Sequence, residues 1–97
     1  MDKLIVPKDI RALIRGLHPH LKKRVRGALE IILSQPLSGK ALISELAGLR
    51  SLRVGSFRII YRIRDKRGIE IIVIGPRERI YEETFRLIKA EKKNKSL

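Results

Sequence analysis

The most informative stretch of the sequence is LRSLRVGSFRIIYRIR, from Leu49 to Arg64, in which arginines alternate with apolar residues. Two runs, Leu49 to Val54 and Phe57 to Asp65, are separated by Gly55-Ser56, a two-residue connection that is typical of a tight β-hairpin. Side chains of a strand point alternately to opposite faces, so the second run predicts one apolar face and one face rich in guanidinium groups. The first face contains Phe57, Ile59, Tyr61 and Ile63, and the second contains Arg58, Ile60, Arg62 and Arg64. Guanidinium groups match phosphate oxygens in geometry, so the second face is a candidate seat for a polyanion.

The residues around this hairpin predict helices on both sides of it in the sequence. A short apolar run at residues 4–6 predicts an edge strand, and two helices follow, the second roughly from Pro19 to Ser34. Lys40 to Gly48 predicts a weakly helical or irregular connector. Ile69 to Ile74 predicts a central strand with two apolar faces, and Ile80 to about Lys92 predicts a final helix. One side of that helix would carry Tyr81, Thr84, Phe85 and Ile88. This order predicts an α+β fold in which helices lie beside an antiparallel sheet.

Length and composition suit one compact domain over residues 1–97, with a frayed tail at residues 93–97. A hydrophobic fraction of 43% with only 4% aromatic residues predicts an aliphatic core. The formal charge is +13, from 23 Lys and Arg against 10 Asp and Glu, so a nucleic acid is the first partner to consider. An anionic membrane or an acidic protein would also be attracted.

The residues that are absent exclude several classes of protein. Without cysteine there are no disulfides and no thiolate metal sites. No apolar run approaches about 20 residues, and the first ten residues lack the long apolar stretch of a secretory signal. We therefore expect a cytoplasmic protein that does not bind membranes.

Two segments of the chain resemble the RelE/ParE superfamily of toxins from toxin–antitoxin pairs, and the resemblance covers nearly the whole chain. LAGLRSLRVGSFRIIYRI, from Leu46 to Ile63, is similar to the family's Leu-Arg-Val-Gly turn followed by an aromatic residue, Arg, two aliphatic residues and Tyr. IGPRERIY, from Ile74 to Tyr81, is similar to its junction between the sheet and the C-terminus. The resemblance implies a small twisted antiparallel β-sheet with an N-terminal α-helical hairpin packed on it and a C-terminal helix.

RelE-type members of the superfamily cleave messenger RNA, commonly in the ribosomal A site, and ParE-type members act against DNA gyrase. The resemblance to the RelE type implies a ribosome-dependent mRNA endoribonuclease that inhibits translation, needs no metal or other cofactor, and is bound by a RelB-like antitoxin. Two alternatives remain open, because a shared fold does not determine the target. One is a ParE-type toxin that inhibits gyrase, and the other is an inactive relative that only binds RNA or its antitoxin.

The same resemblance implies the residues of the site. Arg58 would contact the scissile phosphate, Arg77 would stabilise the charge of the phosphorane, and Tyr81 would stack on a base or hydrogen-bond the reacting hydroxyl. Burial of Tyr81 against the sheet is the competing interpretation. The residues expected to bind RNA around them are Arg50, Arg53, Arg62 and Arg79. Arg50 and Arg53 have opposite parity on their strand, so we expect them on opposite faces, with one of them structural.

The sequence departs from the family pattern at two places. The lysine pair that well-known RelE-type nucleases carry on the second strand is missing, since the region reads Arg50-Ser51-Leu52-Arg53, and no other residue is an evident general base. Many relatives place a histidine where Pro76 stands. The two histidines of the chain, His18 and His20, flank a proline far from the basic strands, so we interpret them as capping or exposed residues.

Overall fold

The protein is described by a computed structural model, which covers residues 3–65 and 68–95. In these residues the elements follow one another as β1 (Leu4–Ile5), α1 (Lys8–Arg15), α2 (Pro19–Ser34), β2 (Lys40–Ala41), β3 (Leu49–Val54), β4 (Phe57–Arg64), β5 (Gly68–Pro76) and α3 (Ile80–Lys95). Short 3-10 helices lie at Pro36–Ser38 and Ser44–Leu46. None of the helices in this part of the chain is long and apolar enough to cross a membrane.

The strands form one mixed sheet in the order β1-β5-β4-β3-β2. Neighbours from β2 to β5 are antiparallel, as the hairpin signals predict. β1 pairs with β5 in parallel, with Leu4 opposite Ile69. The predicted α+β class is confirmed, and the sheet differs from a wholly antiparallel one in this single pairing. A parallel pair needs a long crossover connection, and here α1, α2 and the strands β2 to β4 supply it.

Different helices cover the two faces of the sheet. On one side, α1 and α2 pack on the strands, and we call this side the hairpin face after the α-helical hairpin that they form. Its buried residues are Ile10, Ile14, Val25, Ala28, Ile32, Val54, Ile59, Tyr61, Ile69, Ile71 and Ile74. On the other side, the α3 face, the last helix packs around Leu49, Ile60, Val73 and Ile80. Both clusters are almost entirely aliphatic, as the composition predicts. Each side chain of the central strands therefore has a defined layer, and the α3 face is where Arg53 of β3 and Arg58 of β4 lie.

A β-bulge in β5 sets which residues face α3. Ile72 is the extra residue, because it lies between the partners of two consecutive residues of β4. The alternation of β5 shifts by one residue at that point. Glu70, before the bulge, and Gly75, after it, therefore face the same side although a regular strand would point them to opposite sides. That side is the α3 face. The carboxylate of Glu70 therefore lies beside Arg62, and Gly75, which has no side chain, lies beside Arg58.

The buried hydroxyl of Tyr61 holds the loop that leads from α2 to β2. It accepts a hydrogen bond from the Gly39 N–H at 2.9 Å and donates one to the Pro36 carbonyl at 2.7 Å. A Cβ atom on Gly39 would lie 2.5 Å from this hydroxyl, so the approach requires glycine. Arg50 completes the arrangement, since its Nη1 donates to the Gly39 carbonyl at 2.6 Å and to the Leu37 carbonyl at 3.3 Å. The placement of Tyr61 in the core is confirmed.

Most predicted element limits agree with the structure. The limits of α2 and β3 are those predicted, and β5 extends two residues beyond its predicted end, to Pro76. The predicted connector from Lys40 to Gly48 contains β2 and a 3-10 helix. α3 continues to Lys95, and residues 96 and 97 of the predicted tail lie outside the described residues, as do residues 66 and 67 of the predicted turn.

The buried side of α3 is rotated from the predicted one. Ile80 and Thr84 are fully buried, whereas Tyr81 and Phe85 are 37% and 41% exposed. Residues 80, 84 and 88 satisfy the period of a helix as well as residues 81, 85 and 88 do, so the spacing alone could not distinguish them. Packing of Ile80 and Ile88 against the α3 face decides between the two. Tyr81 consequently lies at the edge of the helix, with its ring accessible.

Replacing Tyr61 with Phe should destabilise the protein by about 1–3 kcal/mol, because the Gly39 N–H and the Pro36 carbonyl lose a buried partner. Tyr81→Phe is the matched control, since that ring is partly exposed, and its cost should stay within about 0.5 kcal/mol. Urea denaturation of the two variants measures the difference. Equal midpoints would contradict the structural role of the Tyr61 hydroxyl.

Candidate phosphate-binding and catalytic site

The centre of the site is Arg58, which β4 points toward α3. Its Nη1 donates to the Ser51 hydroxyl at 3.1 Å. Its Nε is buried and has no hydrogen-bond partner among the described residues. Within residues 3–65 and 68–95, no carboxylate lies within 4.0 Å of this guanidinium. Buried charged donors are normally paired, so an unpaired one marks a place where an anionic ligand would complete the structure.

Ser51 connects Arg58 to α3. The serine is 2% exposed, and its hydroxyl lies 3.4 Å from the hydroxyl of Tyr81. That contact is longer than a strong hydrogen bond between hydroxyl groups. Arg58, Ser51 and Tyr81 therefore form one connected cluster under the first turn of α3, with the phenol able to exchange its weak contact for a ligand.

The ends of the strands add further charges around this cluster. Arg53 lies directly opposite Arg58 across β3 and β4, and so shares its face. The N–H of Arg77 donates to the Ser56 carbonyl at 2.9 Å, which ties the segment after β5 to the β3–β4 turn. The side chains of Arg77 and Arg79 are exposed and form neither hydrogen bonds nor ion pairs with described residues. Like charges opposite each other on a sheet destabilise it, so this arrangement is not explained by folding.

One carboxylate borders the cluster on its other side. Gly75 lies opposite Arg58 across β4 and β5. A Cβ atom on Gly75 would lie 3.6 Å from Oε2 of Glu83, so the carboxylate of Glu83 lies over this glycine. Glu83 belongs to the first turn of α3 and is half-buried. A carboxylate in this position can accept a proton from a group bound near Arg58.

The remaining arginines of the predicted basic face are paired with carboxylates. Arg62 contacts Glu70 at 2.9 Å and Glu91 at 3.3 Å, and Nε of Arg64 contacts Glu70 at 2.7 Å. Burial disfavours the charged form of Arg62, but hydrogen bonds and attraction from the two glutamates outweigh it and raise the pKa of the guanidinium. The predicted guanidinium-rich face is therefore divided in the structure. Arg58, near the β3–β4 turn, has no counter-ion among the described residues, Arg62 and Arg64 are paired, and Ile60 between Arg58 and Arg62 belongs to the core.

The other predicted residues lie outside the cluster. Arg50 faces the hairpin side, opposite Tyr61, and its guanidinium holds backbone carbonyls. Parity had predicted that Arg50 and Arg53 lie on opposite faces, and this is confirmed. His18 accepts a hydrogen bond from the N–H of His20 at 3.3 Å and so caps α2, which confirms the capping interpretation. In the described ranges, no group of three or more His, Asp or Glu residues could hold a metal ion.

Sequence reasoning did not identify Ser51 and Glu83 as members of the site. A signal existed for Ser51, because it shares parity with Arg53 on a strand whose other inward residues are apolar. A small polar residue at such a position needs a polar partner. Glu83 carried no such signal, because its position depends on the rotation of α3 and on the bulge in β5.

Comparisons with known proteins point in one direction. Residues 6–81 match the family model of the ParE toxin of type II toxin–antitoxin systems. The fold is similar to a chain of the RelBE2 toxin–antitoxin complex of Mycobacterium tuberculosis, at 29% identity and a TM-score of 0.69, over 78% of this chain and 98% of that chain. A chain of the RelE–RelB complex of Pyrococcus horikoshii has 20% identity and a TM-score of 0.65, over 80% and 97%. A free mutant of Escherichia coli RelE shares the fold at 15% identity and a TM-score of 0.71, over 91% and 94%. No curated protein is a significant match in sequence.

Replacing Arg58 with Met should leave the free energy of unfolding unchanged or raise it by up to about 1 kcal/mol, because the change removes a like-charge pair and an unpaired buried donor. Arg62→Met, on the same strand and face, should cost about 1–2 kcal/mol because two carboxylates lose their partner. Thermal and urea denaturation test both. If Arg58→Met were as destabilising as Arg62→Met, Arg58 would be a structural residue.

Proposed function

From the premise that the chain belongs to the ParE toxin family of type II toxin–antitoxin systems, within the RelE/ParE superfamily, we propose that it is a ribosome-dependent mRNA endoribonuclease that inhibits translation. The superfamily resemblance inferred from the sequence is confirmed by the family match. The chain is thus the toxin of a toxin–antitoxin system, and the nature of its target is the proposal.

The observation that carries the proposal is the unpaired guanidinium of Arg58. It donates to the Ser51 hydroxyl, which in turn contacts the Tyr81 hydroxyl, and its cross-strand neighbour is a second cation without a counter-ion, Arg53. A phosphodiester supplies what this arrangement lacks, because its two free oxygens can accept from the fork of Arg58 while its negative charge compensates that guanidinium. A site whose only role was to contact a protein surface would not require a buried donor to remain unpaired.

The residues around Arg58 can divide the chemistry of transphosphorylation. The 2′-oxygen attacks the adjacent phosphorus, the bond from phosphorus to the 5′-oxygen breaks, and the products are a 2′,3′-cyclic phosphate and a 5′-hydroxyl. Arg58 and Arg77 stabilise the charge that develops on the phosphoryl oxygens. Tyr81 forms a hydrogen bond with the attacking 2′-hydroxyl. The proton of that 2′-hydroxyl passes to the carboxylate of Glu83, and the leaving 5′-oxygen takes a proton from water. This assignment supplies a general base without the missing lysine pair.

The gyrase alternative has one observation in its favour, which is that the matching family model is described for ParE. Such a toxin would use the same fold and would need no proton acceptor beside its arginines. The two readings therefore differ in whether Glu83 matters for toxicity. For either target we propose an antitoxin partner, since the similar chains from Mycobacterium tuberculosis and Pyrococcus horikoshii belong to toxin–antitoxin complexes.

Induced expression should arrest translation and produce cuts in translated messages. Arg58→Ala should reduce cleavage by about 10²–10³-fold, as expected for loss of a donor to the transition state. Arg64→Ala is the matched control on the same strand, because Arg64 is paired with Glu70, and it should retain cleavage. Mapping of 5′-hydroxyl ends on ribosome-bound mRNA measures both. DNA damage with continuing translation would contradict the proposal and favour gyrase.

Glu83→Gln should lower the single-turnover rate on mRNA-programmed ribosomes by about 10²–10⁴-fold, because the amide keeps the shape but cannot accept the proton. The toxin concentration that gives half-maximal rate should not change. Glu82→Gln, on the same turn of α3 and paired only with exposed Arg86, is the control. A normal rate for Glu83→Gln would remove Glu83 from the mechanism and leave the phosphate site intact.

A further inference from the structure

Arg24 of α2 reaches the β3–β4 turn from the hairpin face. A Cβ atom on Gly55 would lie 3.1 Å from Nη1 of Arg24 and 3.5 Å from its Cζ, so the guanidinium lies directly over this glycine. Gly55 has φ +61°, a conformation in which a larger residue is strained. Because Gly55 has no side chain, the turn leaves the guanidinium of Arg24 exposed to solvent.

A second guanidinium reaches the same glycine from the α3 face. Nε of Arg53 donates to the Gly55 carbonyl at 3.2 Å, which fixes the side chain while its terminal nitrogens remain exposed. Arg24 is exposed and forms neither hydrogen bonds nor ion pairs with any described residue. Two cations thus flank one residue of the turn without a carboxylate between them. Arg53 is also the cross-strand neighbour of Arg58, so the turn continues the charge of the candidate site.

We propose that Arg24 and Arg53 form a second phosphate subsite, which holds the RNA backbone next to the phosphate bound by Arg58. This inference rests on the proposed function, because it concerns the same RNA. A polyanion with regularly spaced phosphates can contact the two arginines of the turn and Arg58 together, and each added contact releases counterions. Glycine between the two guanidinium groups lets a backbone pass over the turn without meeting a side chain.

The structure favours an RNA backbone over an acidic segment of a partner protein. Arg53 is the cross-strand neighbour of Arg58 and shares Gly55 with Arg24. Arg58 is half-buried, with its Nε fully buried, whereas Arg53 and Arg24 are exposed. A ligand that contacts all three arginines must therefore have one charge at Arg58 and others over the turn. An RNA strand has this form, with a reacting phosphate and its neighbours on one chain.

The test is single-turnover cleavage of mRNA on programmed ribosomes as a function of toxin concentration. Arg24→Ala should raise the concentration for half-maximal rate about tenfold and leave the maximal rate unchanged, because the residue binds but does not react. The dependence of log affinity on log salt should fall by about one. Arg26→Ala, two residues along the same helix and with the same loss of charge, should change the concentration less than about twofold. Arg24→Lys should restore part of the affinity.

Each other outcome has a distinct meaning. If Arg24→Ala and Arg26→Ala behave alike while the wild-type protein cleaves, the subsite is wrong and the proposed function stands. If the wild-type protein cuts no message, both fall together. If cleavage by Arg24→Ala is normal but its affinity for a cognate antitoxin falls, the subsite binds a protein carboxylate and the inference is overturned. Thermal denaturation confirms that the exposed substitutions leave the protein folded.

Discussion

The half-buried guanidinium of Arg58, whose Nε is fully buried and which has no counter-ion among the described residues, is the constraint on which the candidate site depends. Burying an unpaired charge costs free energy, and the cost is tolerated only where surrounding packing holds the group in place. Two layers provide that packing. β4 is covered on one face by α1 and α2, and α3 closes the other with Ile80 and Thr84, which are fully buried. The second layer lies on the face of the sheet to which Arg58 points.

Among the three arginines of β4, Arg58 is the one without a counter-ion in the described residues. Carboxylates are available on the same face, and they are positioned at the far end of β4, where Glu70 contacts both Arg62 and Arg64. The bulge at Ile72 produces this distribution, because it turns Glu70 and Gly75 to the same side. One half of the face thereby receives an acid, and the half beside Arg58 receives a residue without a side chain. The ion pairs that stabilise β4 and the proposed anion site at Arg58 therefore lie at opposite ends of this strand.

Much of the fold could be predicted from the sequence because its signals are local. The Gly55-Ser56 connection, the proline at the start of α2 and the alternation of β4 each depend on a few neighbouring residues. What escaped prediction depends on contacts between distant segments. The unbroken apolar run from Ile71 to Ile74 carries no alternation, so the bulge at Ile72 left no trace in it. The rotation of α3 was ambiguous for a similar reason, because two stripes fit its helical period. The position of Glu83 depends on both features, and for that reason the sequence did not indicate that a carboxylate lies beside Arg58.

The positions around Arg58 separate binding from bond breaking. Its neighbour across β3 is Arg53, and beyond that the β3–β4 turn brings Arg24, so cations extend from Arg58 in one direction. Its neighbour across β5 is Gly75, under Glu83, so the only carboxylate over this part of the face in the described residues lies in the other direction. A strand of RNA bound along the cations would leave its reacting hydroxyl on the side of the acid. The two halves could change independently in evolution, because removal of the acid would leave an intact anion-binding surface. Binding of an anion therefore needs the arginines alone, and the proposed reaction needs Glu83 in addition.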